Sequence, residues 1–189
     1  MRAFIAIEPP AAMVEELADV AHRLGAVVPA RFLPRETYHV TAAFMGEIGE
    51  AAAADAIEVL QEACRDVQPV RLRPVGLGAF GRGRDVTLHV ELAAEPMLMQ
   101  LVDEVRTALR ARGIALDEKA FLRHVTLARR ARLPEGTLPH IVLPAPRDAS
   151  RISLFKSTLT PSGAVYKMLY TEHMGYDEPF GSEEGLWPW

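Results

Sequence analysis

Tyr38-His39-Val40-Thr41 and His124-Val125-Thr126-Leu127 are the stretches on which the reading of this chain turns. Each sits in β-favouring surroundings. In a strand, residues i and i+2 project to one face and the residue between them to the other. Each His then stands beside its Thr, while Val40 and Val125 point away, into a core. Two such strands facing across a cleft present two imidazoles and two hydroxyls to one small volume. A single His-x-Thr carries almost no information, because a lone His on a strand is usually structural. The repetition carries it, since each copy follows a predicted helix.

Working outward, residues 2–7 read as a buried strand stopped by Pro9-Pro10. Met13, Val14, Leu17, Val20, Ala21 and Leu24 recur at helical spacing over 11–24, and Gly25 is a stop signal. Residues 31–36 form a polar connector containing Phe32. The first His-Val-Thr strand continues to Gly46. An Ala-rich helix covers 50–66, with Ile57, Leu60, Ala63 and Cys64 inward. A strand over 69–78 is interrupted by Pro74 and closed by Gly76 and Gly78. The turn at 79–85 carries two glycines and two arginines and leads into a strand at 86–92. A third helix spans 95–112, with Leu98, Leu101, Val102, Val105, Ala108 and Leu109 inward and Gly113 closing it. Ile114–Leu116 is a short strand or a linker. The second His-Val-Thr strand covers 121–128. The Pro-rich stretch 129–148 holds a loop at Pro134-Glu135-Gly136, and strands at 151–160 and 164–173 make a hairpin around Pro161-Ser162-Gly163. This order predicts an α+β duplication with mostly antiparallel sheets over residues 1–177, followed by an aperiodic C-terminal tail at 178–189.

The 189 residues are 49% hydrophobic and 24% charged, enough apolar material for a sizeable core. A formal net charge of -4 argues against a basic nucleic-acid coat but leaves room for a local basic pocket. Arg supplies 18 of the 21 basic residues, which suits planar phosphate contacts and follows equally from genome-wide composition bias. The lone cysteine, Cys64, allows no intrachain disulfide and fits a reducing compartment; on its helix it reads as a small buried residue. The apolar start is too short for a signal peptide, and no run approaches the ~18 apolar residues of a membrane span. A cytoplasmic monomer without a membrane partner is expected.

Imidazole titrates near pH ~6.5, so one His can be neutral while another is charged. A neutral His takes a proton from water, and a protonated one gives a proton to a leaving oxygen. On opposite sides of a phosphorus atom, two of them complete an in-line hydrolysis without metal. Thr hydroxyls donate to non-bridging phosphate oxygens, and Arg offsets developing negative charge. His89 lies on a strand and can face either side. His22, His140 and His173 sit on a helix, in a loop and near a strand end, and all four rank below His39 and His124 as candidates for catalysis. No Cys cluster or His-x-His spacing suggests a metal site, and no cofactor is implied. The glycine turn at 76–83 has no Lys-Ser/Thr after it, so it is not a phosphate-cradling nucleotide loop. Phe80 reads either as a platform for an RNA base or as core. Arg82 and Arg84 either reach an RNA backbone or are simple exposed charges.

The paired strands resemble those of the two-histidine phosphoesterases, specifically the RNA 2',3'-cyclic phosphodiesterases, also called 2'-5' RNA ligases. The resemblance spans nearly the whole chain. It includes Met1-Arg2-Ala3-Phe4-Ile5-Ala6-Ile7, His39 to Gly46, Gly76-Leu77-Gly78-Ala79-Phe80, His124 to Arg129, Ile152 to Leu159, Gly163 and Tyr166. It implies a bilobal fold whose two sheets flank a V-shaped cleft, with helices outside. It implies His39 as general acid, His124 as general base, Thr41 and Thr126 holding the phosphate, and Arg129 as a further phosphate contact. The implied reaction converts 2',3'-cyclic phosphate ends of RNA or nucleotides to 2'-phosphates, and its reversal joins RNA 2'-phosphate and 5'-hydroxyl ends. The alternatives are another small cyclic phosphodiester as substrate, or a non-catalytic binder of RNA ends or nucleotides.

Three residues depart from the family pattern. Arg123 stands where Pro is common, Ala43 where a basic residue is common, and Phe32 near a position often held by Trp. Ala43 is expected on the cleft face beside His39 and Thr41, where a lost cation would weaken RNA binding. Arg129 is five positions from His124, so an ideal strand points it away from the cleft. It contributes only if the strand ends or bulges near Ala128; otherwise it belongs to a solvated cluster with Arg130 and Arg132.

Overall fold

The computed structural model describes residues 1–82, 86–133, 140–161 and 163–175. Its elements are β1 (Arg2–Glu8), α1 (Ala11–Gly25), β2 (Arg31–Phe32), a 3-10 turn (Arg35–Thr37), β3 (Val40–Glu47), α2 (Glu50–Cys64), β4 (Val70–Leu72), β5 (Pro74–Phe80), β6 (Val86–Leu92), α3 (Pro96–Ala111), β7 (His124–Ala131), β8 (Arg147–Ala149), β9 (Arg151–Thr160) and β10 (Gly163–His173). The duplicated α+β architecture is as expected. One sheet runs β10-β9-β1-β3 and the other β2-β7-β6-β5, with a two-stranded ribbon β4-β8. The strand pairs are antiparallel. Arg84, the loop at 134–136, Ser162 of the hairpin turn and the 178–189 tail lie outside the described residues.

Five consecutive buried residues, Ala3–Ile7, explain the unbroken apolar run of β1. That strand is central, flanked by β3 and β9, and is covered on both faces. The helices are exchanged between the sheets. α1, which follows β1, packs on β7 of the other sheet, and α3, which follows β6, packs on β3. Buried side chains of both sheets therefore join one continuous cluster, which includes Ile5, Leu17, Val40, Leu101 and Val125. Pro96 starts α3 in its first turn, and Gly113 takes φ +75° just after its end, so the stop signal reads correctly.

Several local expectations are corrected. Pro74 does not interrupt one strand but separates two that pair with different partners, β4 with β8 and β5 with β6. Gly76 and Gly78 lie inside β5 rather than closing a strand. Gly78 is there because a Cβ would collide with the side chains of His89 and Glu91. The inner face of α2 is Ala53, Ala56, Val59, Leu60 and Cys64, with Ile57 and Ala63 at its flanks. The short strands β2 and β8 are additions, and Ile114–Leu116 is a linker whose Ile114 is buried. Among the described residues, no helix is long and apolar enough to cross a membrane.

Candidate active site

His39 immediately precedes β3 and His124 opens β7, so both histidines sit where a strand begins. Their rings line one cleft between the sheets, of about 490 Å³, together with Thr41, Thr126 and Arg129. Each Nδ1 lies against the carbonyl oxygen two residues earlier, His39 against Thr37 at 2.6 Å and His124 against Leu122 at 2.7 Å. A carbonyl oxygen only accepts, so Nδ1 carries the hydrogen in both rings. In the neutral state, Nε2 is then the nitrogen left with a lone pair.

The same irregularity follows each Thr. On β3 the pairing with β1 steps from Ala6↔Thr41 to Ile5↔Ala43, which leaves Ala42 as an extra residue. On β7 the pairing with β6 steps from His89↔Thr126 to Leu88↔Ala128, which leaves Leu127 extra. A bulge of this kind reverses the in-out alternation beyond it. Ala42 and Ala43 are consequently both buried, as are Leu127 and Ala128. The residue five after each His returns to the cleft: Phe44 on one wall, Arg129 on the other. The bulge thus removes the strand-parity difficulty of Arg129. It also corrects the expectation for Ala43, which is 2% exposed and turned into the core.

The two rings have different surroundings. His39 is packed by Phe4 at 5.0 Å, by Tyr166 edge-on at 5.4 Å and by Phe155 at 6.4 Å between centroids. Burial there pushes its pKa down to about 4, aided by the charges of His124 and Arg129 and opposed by the Thr37 carbonyl. His124 meets Phe80 at 5.0 Å and His89 at 5.2 Å, both edge-to-face. Burial and then Arg129 lower its pKa, against the Leu122 carbonyl. Both shifts favour the neutral imidazoles at pH 7.

Residues 8–153 match the family pattern of the 2'-5' RNA ligase superfamily. The chain belongs to that superfamily. It is 31% identical over 178 residues to an RNA 2',3'-cyclic phosphodiesterase of Thermotoga maritima, covering 90% of this chain and 94% of that one. It is 34% identical over 157 residues to an enzyme of the same name from Aeropyrum pernix, covering 76% and 85%. A crystal structure of a Thermus thermophilus protein superposes with a TM-score of 0.78 at 26% identity, over 92% of this chain and 98% of that one. The fold is also that of Escherichia coli LigT, with a TM-score of 0.74 at 24% identity over 93% and 98%.

Within this member of the superfamily, the three departures have structural explanations. Arg123 donates from Nε to the Leu92 carbonyl at 3.3 Å, and Leu92 N–H donates to the Arg123 carbonyl at 2.9 Å. Two bonds to the end of β6 thereby fix the approach to His124. Phe32 packs on the core beside Gly25, away from the histidine cleft. Phe80 is half-buried and lies flat on His89 at 3.9 Å, so one of its faces is already taken. Arg82 is exposed, as are His22, His140 and His173. Cys64 is buried, with its thiol pKa pushed up to about 12 by desolvation.

Three features in or beside the cleft escaped the sequence reading. His89 faces His124, is 2% exposed, and has Nε2 3.7 Å from Glu91. Phe44 was hidden by the bulge. Arg2, on β1, also lines the cleft. The alternation of β1 was the available signal for Arg2, since it shares a face with Phe4.

Proposed function

We propose that this protein hydrolyses 2',3'-cyclic phosphates at RNA or nucleotide ends to 2'-phosphates, without metal, using His39 and His124 as acid and base. The observation that carries the reading is two imidazoles with the same tautomer, tied to backbone carbonyls, on opposite walls of one cleft that also holds two Thr hydroxyls and Arg129. The name shared by relatives of matching length supports the substrate class.

Thr41 and Thr126 donate to the non-bridging oxygens, and Arg129 offsets the charge that grows on phosphorus. Water attacks phosphorus opposite the ribose O3', and His124 takes the proton it loses. The P–O3' bond breaks, His39 gives its proton to O3', and the phosphate stays on O2'. Solvent then exchanges protons with both rings. A 5'-hydroxyl in place of water makes a 2'-5' linkage by the same attack.

The unequal pKa shifts give the two rings unequal strength as acid and as base. A bound anion raises both values, and because His124 is depressed less, the reactive form with His39 protonated and His124 neutral is the less populated of the two singly protonated forms. His39, desolvated among aromatic rings, gives its proton up more readily and is the stronger acid. His124, depressed less, is the better base. The deciding experiment is incubation with a 2',3'-cyclic nucleotide in EDTA, with the position of the product phosphate read by NMR. A 2'-phosphate is expected. A 3'-phosphate, or activity that needs added metal, would contradict the proposal.

A further inference from the structure

The cleft face of β1 reads Arg2, Phe4, Ala6, Glu8, since alternate residues share a face. Phe4 packs on His39 and so marks the reaction centre. Glu8 lies in the chamber beyond His39, with Glu15 and Glu36. Its carboxylate is engaged by Ser153 and by Arg151, the latter at 3.0 Å, while Arg35 in the same chamber binds Glu15 at 2.7 Å. Arg2 lies at the opposite end, about 7 Å along the strand from Phe4. Its guanidinium rests over the ring of Phe44, 4.8 Å from the centroid. Its Nε is buried without a hydrogen-bond partner, and among the described residues no carboxylate pairs with it. Glu47, opposite it in the β1–β3 register, instead lies 3.3 Å from the Met1 ammonium, and Asp117 in the same cleft lies 3.5 Å from Lys119. A polyanion threading this cleft meets carboxylates already paired with Arg151 and Arg35 at one end, and at the other a cation with no carboxylate partner among the described residues.

Resting on the function proposed above, we infer that Arg2, held flat on Phe44, binds the 5'-phosphate of the nucleotide that carries the cyclic end. The cyclic phosphate occupies the two His-Thr pairs and Arg129. The next anion along an RNA strand is that 5'-phosphate, one nucleotide length away, the same order of distance that separates Arg2 from Phe4. Arg2 thereby sets the direction in which RNA lies in the cleft and separates chain ends from nucleosides that lack a 5'-phosphate. The bulge explains why the cation comes from β1: the position that carries Arg129 on the other wall is Phe44 here, which supplies a ring for a guanidinium to lie on.

The test is calorimetric titration of the full chain with adenosine 2',5'-bisphosphate and adenosine 2'-monophosphate, which differ only in the 5'-phosphate. Wild-type protein should prefer the bisphosphate by about tenfold or more, the scale of one charge-assisted contact, and added salt should shrink the preference. Arg2→Gln should abolish the preference and leave monophosphate affinity within about twofold; Arg2→Lys should recover part of it. Phe44→Leu, which keeps the cation but removes its platform, should weaken bisphosphate binding in the same direction. Equal affinities in the wild type, or equal losses for both ligands in Arg2→Gln, would overturn the inference. Failure to turn over any cyclic phosphate would instead sink the proposed activity, and binding would still decide the role of Arg2.

Discussion

The wall that carries His39 and the wall that carries His124 repeat one backbone in detail. In both, the His stands where a strand begins, and its Nδ1 is tied to the carbonyl two residues back. The Thr follows two residues on, an extra residue follows the Thr, and the fifth residue after the His comes back to the cleft. What packs around that backbone differs. Phe4, Phe155 and Tyr166 enclose His39, whereas Phe80 and the imidazole of His89 border His124. The returning residue is an aromatic on one side and a cation on the other. Duplication thus explains the geometry, while the surroundings set proton affinity. That difference in surroundings gives the two rings unequal strength in the acid and base roles proposed for them.

The largest expected effect breaks the comparison directly. His39→Ala and His124→Ala should each lower kcat/KM by about 10²–10⁴-fold without unfolding the protein. A phosphodiester with a 4-nitrophenolate leaving group, which needs no proton, should restore much of the rate to His39→Ala and little to His124→Ala. Equal restoration in both variants would show that the two walls do not divide the work as proposed.

Next in size is a test of the shared bulge. Ala43→Lys places an ammonium among core side chains with no partner and should cost about 3–5 kcal/mol in urea unfolding. Phe44→Lys puts the same charge one residue on, into the cleft, and should cost far less. A larger cost for Phe44→Lys than for Ala43→Lys would mean that β3 keeps simple alternation, and the cleft position of Phe44 would have to be reconsidered.

That pair of residues also marks the border of what could be read in advance. The helices and long strands were legible because apolar spacing and the Pro and Gly stops are local properties. Val86–Leu92 and the stop at Gly113 are cases in point. The bulges were not legible from spacing. An extra residue after Thr41 leaves local β propensity unchanged and is decided by pairing with β1, distant in sequence. Parity counting therefore put Ala43 in the cleft and made Arg129 a puzzle. The brief strands β2 and β8 exist only through their partners β7 and β4. Gly78 looked like punctuation because the side chains that require its missing Cβ, His89 and Glu91, belong to the neighbouring strand.

Arg129 should contribute less than either His, because its charge assists transfer without carrying a proton. Arg129→Met should reduce kcat/KM by about 10–100-fold, as expected for loss of a hydrogen bond to a charged group. It should also alter the pH profile. The pKa of His39 lies near 4 and that of His124 below 6.5. The wild-type kcat/KM should then form a bell with its maximum between those values and fall as pH rises past 6.5. The kcat limbs should lie higher, because bound anion favours both imidazolium forms. Arg129 depresses both rings, so Arg129→Met should move the kcat/KM limbs upward. A wild-type optimum well above neutral would exclude the proposed protonation states.

His89 gives the smallest effect and the finest test of the contrast between the walls. Its ring lies flat on Phe80 and edge-to-face with His124. Desolvation, followed by the charge of His124, lowers its pKa, against the pull of the Thr87 carbonyl and of Glu91. The packing and the direction of that shift both favour a neutral ring that acts on His124 through shape. A phenylalanine supplies nearly the same shape, so His89→Phe should keep kcat/KM within about threefold and leave both pH limbs in place. His89→Ala removes the ring and leaves a cavity beside His124; it should lower kcat more than it raises KM, because the mobile base spends less time aimed at water. If Phe were as damaging as Ala, the imidazole itself would be needed. The His124 wall would then hold a two-histidine unit where the His39 wall holds one ring in an aromatic sleeve, and the asymmetry of the cleft would extend to the number of its titrating groups.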